Sequence, residues 1–310
     1  ASLKGDGFTM KVIPVAESGG VTVYCPSDGR FSFFNSPYIA HRTQRGVDIY
    51  PPKRLGDVAP SPVLGKVAGI RKVKCPRGKG FKSSEFDYVI LIRSVENPKR
   101  MIKILHVEPT VDLGRLVKPG QELGTLLRSG YFDFWTDPHI HVEVRNPKDP
   151  IRARGGFKLE RTFLLDNLED SAEILQELRG VVVETKREYS LVLLEGRCRY
   201  GLPVEVDGSL GVFDGGVPHY GWFGVYTTRK PSLGGVVKLC GVPIGALEKT
   251  SNRMGLAKCS GFHFLLRGVR VGLSLYLYPS GKPLVKVVPP KPGALNLEES
   301  EEVRVAVVTS

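Results

Sequence analysis

Asp137-Pro-His139-Ile-His141-Val-Glu143-Val-Arg145 reads as a β-strand that carries two histidines. From Ile140 onward it alternates apolar and polar residues, the period of a β-strand with one face turned to a core. Two histidines at i and i+2 then share one side of that strand. One can bind a metal while the other meets a substrate or a water beside it. Histidine is polar enough to sit idle on a solvated strand, so the pair gains meaning only from its surroundings.

Those surroundings are rich in short extended segments. Upstream lie Leu105-His106-Val107 and the run Leu116-Val-Lys-Pro-Gly120-Gln121-Glu-Leu-Gly124, whose glycines fit a tight turn between strands. Earlier stand Gly46-Val47-Asp48-Ile49-Tyr50 and Pro62-Val63-Leu-Gly65-Lys-Val67. Alternation predicts strands over 9–15, 21–25, 47–50, 63–70, 88–92, 101–107 and 139–144, then over 181–183, 189–194, 236–239, 262–266 and 273–278. With 36 glycines and 23 prolines cutting up 310 residues, the expected class is mainly β.

One segment breaks the pattern. Leu165, Leu168, Ala172, Leu175 and Leu178 recur at helical spacing, with Asp166 or Asn167 as N-cap and Gly180 as the stop. This helix links two domains, so the expected division is 1–155, a linking helix at 156–180, a β-rich domain at 181–288 and a tail at 289–310. The tail's acidic Glu298, Glu299, Glu301 and Glu302 are expected to be exposed, and its last β-prone run to be weakly held.

The order of motifs from residue 24 to residue 150 resembles the LytM/lysostaphin-type zinc metallopeptidases. That family runs His-x-Gly-x-Asp, Pro-Val with Gly-x-Val, a strand bearing a catalytic His, a Val-x-x-Gly-Gln-x-x-Gly hairpin, and Gly-Pro-His-x-His-Phe-Glu. The resemblance implies a folded-over antiparallel β-sheet, a duplicated hybrid motif, with a groove on its face. It makes Asp48 and His141 zinc ligands, and His106 and His139 the outer, catalytic pair that orients water, takes its proton and stabilises the oxyanion. Glu143 and Arg145 read as a solvated ion pair or as residues that orient His141 from behind. Zinc on nitrogen and oxygen ligands with an open position activates water near neutral pH, and imidazoles beside it serve as base or donor.

One departure stands out. The family's first zinc histidine lies four residues before the aspartate, and here that position is Gln44, a poor zinc ligand. His41 stands seven residues before Asp48, an odd offset that puts it on the opposite face of an unbroken strand. Three readings stay open: His41 as a ligand shifted in by a bulge or irregular loop, Gln44 as a weak ligand, or an incomplete site with weak or absent activity. A fainter echo follows in Val217-Pro-His219-Tyr-Gly221-Trp, Gly241-Val-Pro-Ile-Gly245 and Gly261-Phe-His263, with Phe223 at the aspartate position. It suggests a degenerate copy without a ligand set.

The activity expected is hydrolysis of peptide amide bonds, on a peptide or peptidoglycan-like substrate. The alternative is a non-catalytic module on the same fold that binds peptide, glycan or nucleic acid. Net charge is +12, with its densest cluster at Lys66, Arg71, Lys72, Lys74, Arg77, Lys79 and Lys82. That cluster reads as a solvated basic loop or as a polyanion contact; it lacks interleaved aromatics in sequence and matches no groove-reading motif. No apolar run approaches the ~20 residues of a membrane span. The opening Ala1-Ser-Leu-Lys-Gly-Asp-Gly7 has no signal-peptide core, and five cysteines without Cys-x-x-Cys read as reduced thiols of a cytoplasmic protein.

Overall fold

The computed structural model describes residues 10–310, and Thr9, where the first expected strand begins, lies outside the described residues. The chain divides into two compact units, one of residues 1–31 and 38–164, the other of residues 32–37 and 165–310. Both are built almost wholly from antiparallel strands, as the punctuation by glycine and proline requires. Among the described residues no helix is long and apolar enough to cross a membrane.

In the first unit a seven-stranded sheet runs in the order Leu116–Val117, Gly65–Lys74, Phe86–Ser94, Met101–Leu105, Ile140–Arg145, Val47–Tyr50, Arg30–Ser32. Two three-stranded sheets accompany it, one formed by Glu160–Arg161, Val12–Ser18 and Val21–Pro26, the other by Val58–Pro60, Glu122–Leu126 and Val107–Pro109. All six residues of the Ile140–Arg145 strand are buried. Its apolar side, Ile140, Val142 and Val144, faces a core shared with Val47, Ile49, Ile102 and Ile104. Its polar side carries His141, Glu143 and Arg145. A strand covered on both faces must satisfy every polar group it buries, which is why this one holds the site.

In the second unit twelve strands form one sheet that closes on itself twice. Leu202–Val206 pairs with both Val236–Leu239 and Ser209–Val217, completing one ring of six. Val269–Leu275 pairs with both Phe262–Leu266 and Leu284–Val288, completing the other. Closure leaves no long unpaired edge. The core is apolar, with Phe213, Phe223, Phe264, Val217 and Leu273 fully buried. Two charges are buried with it, Asp214 and Lys286; Asp214 accepts from the Ser32 hydroxyl, from the Phe33 amide at 2.8 Å and from the Tyr226 hydroxyl at 2.7 Å, anchoring residues 32–37 in this unit.

Two expectations are corrected here. The linking helix is a single turn, Leu168–Ser171, and Leu178 already begins a strand that runs to Thr185. Leu165, Leu168, Ala172, Leu175 and Leu178 are all buried, so the spacing marks core positions correctly. The helix stops because Ala172 is extended and the chain from Leu178 pairs with Val303–Val305, a tertiary pairing that overrides local periodicity. The last β-prone run is not weakly held. Glu302–Thr309 lies between Phe262–Leu266 and Leu178–Thr185 and is paired on both sides.

Ending the chain at residue 301 should therefore open the second ring. Burial of Val303 and Val305 alone contributes about 3–6 kcal/mol. Thermal unfolding followed by circular dichroism should lose its cooperative transition for this unit or shift it down by many degrees; an unchanged midpoint would contradict the closed ring.

Candidate metal centre

The site grows from one cross-strand pair. The register places His141 directly opposite Asp48 on one side and Leu105 on the other. His141 Nδ1 lies 2.8 Å from Asp48 Oδ1. A third group comes from outside the sheet. His41 sits on a one-turn helix, Ile39–Arg42, with its Nε2 3.2 Å from His141 Nδ1 and 3.4 Å from Asp48 Oδ1. The helical turn, closed by Gln44 in the left-handed conformation (φ 58°), cancels the odd offset that an unbroken strand would impose. Gly46 completes the approach: a Cβ there would stand 2.7 Å from His141 Cε1.

These three buried residues, His41, Asp48 and His141, could hold a metal ion. Ligands about 2.0–2.1 Å from a tetrahedral ion stand roughly 3.3 Å from one another. The three donor atoms here are already 2.8, 3.2 and 3.4 Å apart, so the donor set fits such an ion without rearrangement.

Gln44 is not brought into this group. Its side-chain amide donates to the Leu159 carbonyl at 2.9 Å, and its own carbonyl accepts the Leu159 amide at 2.8 Å. Gln44 is a structural joint.

Behind His141 stands a charged ladder. Glu143 Oε1 lies 3.1 Å from His141 Nε2, while Lys103, opposite Glu143 in the register, reaches the same oxygen at 2.6 Å. Arg145 NH1 donates to Glu143 Oε2 at 2.9 Å and its NH2 to the Arg154 carbonyl at 2.8 Å. Glu143 and Arg145 are therefore a buried pair, and Glu143 contacts the ring of the metal-competent histidine. Carboxylates in that position fix the ring and raise its basicity.

His106 and His139 flank the group. His139 Nδ1 lies 2.9 Å from the Asp137 carbonyl and its Nε2 3.4 Å from Asp48 Oδ2. Its ring stacks on Phe132 at 4.6 Å and packs against Tyr50 at 4.8 Å. His106 follows the Met101–Leu105 strand with φ 69°, a left-handed residue that brings its ring within 5.1 Å of His139. Its Nδ1 lies 2.6 Å from Asp87 Oδ2, and its backbone amide donates to Asp87 Oδ1.

The electrostatics follow from burial and from these pairs. Burial alone would raise the Asp48 carboxyl, but His139, His41 and His141 hold it well below the usual carboxylate range. Burial opposes charge on His141 too, yet bonds from Asp48 and Glu143 lift its pKa to about 9. For His139 burial prevails over the attraction of Asp48, and its pKa falls to about 4. Burial works against charge on Glu143 and Asp87 as well; His141 and Lys103 outweigh it for the first, His106 and Ser129 for the second, and both fall to about 2. The field around His141 thus favours a positive charge.

Two residues of this constellation are not singled out by the sequence reading, Asp87 and Lys103. Each is a charge set among apolar neighbours, in Phe86-Asp87-Tyr88-Val89 and in Met101-Ile102-Lys103-Ile104. A buried charge needs a partner, and that was the available signal.

The basic cluster lies apart from the donor set. Lys66, Arg71, Lys72, Lys74, Arg77, Lys79 and Lys82 are all exposed, on the Gly65–Lys74 strand and the loop after it. Aromatics do accompany it, from the next strand: the Lys72 ammonium sits 4.4 Å over Phe86 and 5.7 Å from Tyr88. In the second unit the echo does not assemble. Phe223 is core, His219 is exposed, and His263 meets Ser310. The strands bearing Phe223 and His263 do not pair with each other, unlike those bearing Asp48 and His141. All five cysteines are free.

The family described as "Domain of unknown function (DUF8155) N-terminal domain" matches residues 22–161, a span that contains every residue of the candidate site. Among curated proteins and solved structures none matches the chain.

Two outcomes follow. Gly46→Ala should push the His141 ring aside and weaken metal binding by roughly tenfold or more while the fold persists, as read by competitive metal titration and circular dichroism. Acid should also destabilise the metal-free chain. Glu143 and Asp87 are depressed in the fold, so the stability they contribute is complete above the ordinary carboxylate range and is lost as pH falls towards 2. Denaturant midpoints should drop through that window, and Glu143→Gln should lower the neutral-pH midpoint and flatten the drop; a parallel curve for the variant would show that Glu143 adds nothing.

Proposed function

We propose that the first unit is a zinc-dependent hydrolase of peptide amide bonds of the LytM/lysostaphin type, with His41, Asp48 and His141 holding the metal. The observation that carries this reading is the convergence of the three buried donor atoms within 3.4 Å of one another, backed by Glu143 on the far nitrogen of His141. When bound, zinc supplies Lewis-acid polarisation of a carbonyl and activation of water near neutral pH. The chain's own residues do the rest. Glu143 holds His141 with its Nδ1 towards Asp48. His139, its Nδ1 tied to the Asp137 carbonyl, presents Nε2 to the site; with a depressed pKa it is a neutral imidazole able to accept a proton at that atom. His106, its Nδ1 on Asp87, presents its own Nε2 beside it and serves as a second nitrogen that can take up and hold a proton. Phe132 and Tyr50 pack against this outer pair, limiting water around it.

His41 as third ligand removes the reason to expect a two-ligand site, and with it the expectation of weak activity. The substrate class is a peptide or peptidoglycan-like cross-link.

Zinc content after dialysis, measured by elemental analysis, tests the ligand set. Asp48→Ala and His41→Ala should each lose zinc without unfolding. Gln44→His should not raise zinc affinity, because its side chain is turned to Leu159. His139→Ala should retain zinc and lose about 10²-fold or more of the hydrolysis of peptide libraries or purified peptidoglycan. A native chain that takes up no zinc would end this reading; one that takes it up but cleaves neither substrate would leave a metal-holding binding module.

A further inference from the structure

Asp87 lies on the Phe86–Ser94 strand, on the same face as the site: the register sets Val89 opposite Leu105, and Leu105 opposite His141. Two residues from Val89, Asp87 therefore projects to the side that carries His141 and Asp48. Its carboxylate is nearly inaccessible to solvent, and both oxygens are fully engaged. Oδ1 accepts the Tyr88 amide at 2.7 Å and the His106 amide at 2.9 Å. Oδ2 faces His106 Nδ1 at 2.6 Å and accepts the Ser129 hydroxyl at 2.7 Å. A carboxylate offers about four acceptor positions, and all four have a donor here.

Such a group does two things for His106. Through Oδ1 it fixes a backbone amide whose residue is held at φ 69°, a conformation that non-glycine residues seldom adopt unless something holds them there. Through Oδ2 it decides the tautomer. An ionised carboxylate can only accept, so the proton of the neutral imidazole sits on Nδ1 and Nε2 keeps its lone pair. Ser129 and Phe132 close the site from the other side, the hydroxyl on Asp87 and the ring 4.8 Å from His106.

We infer that Asp87 is a positioning residue for the hydrolysis, holding His106 in the Nδ1–H tautomer with Nε2 turned to the reacting groups. The inference rests on the hydrolase reading above. It assigns Asp87 no contact with substrate or metal. No oxygen of Asp87 remains for either.

Asparagine at this position makes the test sharp. It has the shape of aspartate but one oxygen and one amide in place of two oxygens. Four donors cannot be satisfied by one oxygen, so an amide N–H must face either the His106 backbone or its Nδ1. The latter forces Nδ1 to accept and moves the ring proton to Nε2, the wrong-tautomer effect of an aspartate-to-asparagine change behind a catalytic histidine.

The experiment is long-range ¹H–¹⁵N correlation of the histidine side chains in the full-length native protein and in Asp87→Asn, each zinc-loaded, with zinc content and hydrolysis measured on the same samples. In the native protein His106 should appear as Nδ1–H. In Asp87→Asn it should appear as Nε2–H, zinc content should be unchanged, and kcat should fall about 10²–10⁴-fold with little change in KM. An Nε2–H tautomer in the native protein overturns the inference whether or not the variant folds. So does a variant whose tautomer and kcat match the native values. A native chain lacking both zinc and hydrolysis defeats the hydrolase reading instead, a result the spectrum of His106 does not touch.

Discussion

Everything in the first unit that could do chemistry depends on one register: His141 opposite Asp48 across two antiparallel strands. Strand side chains repeat every two residues, so this pairing sets the face of every neighbour. With His141 and Asp48 on the polar side, Glu143 meets Lys103, Arg145 follows, and Asp87 arrives two strands away on the same side. A slip of one residue would bury Val142 where His141 now stands. It would also turn Ile140, Val142 and Val144 out of the core, so hydrophobic burial and site geometry enforce the same register.

The polar side is costly to bury, and the way it is satisfied explains its shape. Breaking a buried ion pair by removing one partner costs about 3–5 kcal/mol, since the other charge is left stranded. Here Glu143 is shared by His141, Lys103 and Arg145, and Arg145 is further tied to the backbone carbonyls of Asp149 and Arg154. No member can move without stranding another. The network fixes the ring plane of His141 as firmly as core packing fixes an apolar side chain.

Much of this was legible in the sequence, and where it was not the reasons are physical. The alternation in 140–145 and the largely apolar runs 47–50 and 101–107 marked strands, the last of them cut after Leu105 where His106 turns left-handed. His106, His139, His141 and Asp48 were legible as a constellation because their motifs come in a distinctive order. Asp87 and Lys103 were missed because a charge among apolar neighbours shows its partner only once the register is known. The expected helix over 165–178 failed because five buried positions at helical spacing were satisfied by one turn and then an extended segment, with Leu178 drawn into a strand by Val305. His41 stayed unresolved because its offset of seven is forbidden on a strand. Nothing local announces that Ile39–Arg42 coils and that Gln44 then turns left-handed.

Three of the four histidines in the first unit share a single device. His141 has Nε2 on Glu143, His106 has Nδ1 on Asp87, and His139 has Nδ1 on the Asp137 carbonyl. In each ring one nitrogen is committed to an acceptor behind it, so the other presents a lone pair to the same small volume. Lone pairs converging beside a carboxylate repel one another and attract any cation, and the same surroundings raise the His141 pKa to about 9. The acceptors behind two of the rings are carboxylates, while His139 has only a carbonyl dipole, and that difference sorts the rings. The imidazole bonded to two carboxylates is the one that best tolerates a positive neighbour. The imidazole held by a carbonyl, with burial dominant, stays neutral at a pKa of about 4. The contrast between a ring that favours positive charge and a ring that stays neutral thus follows from what lies behind each of them.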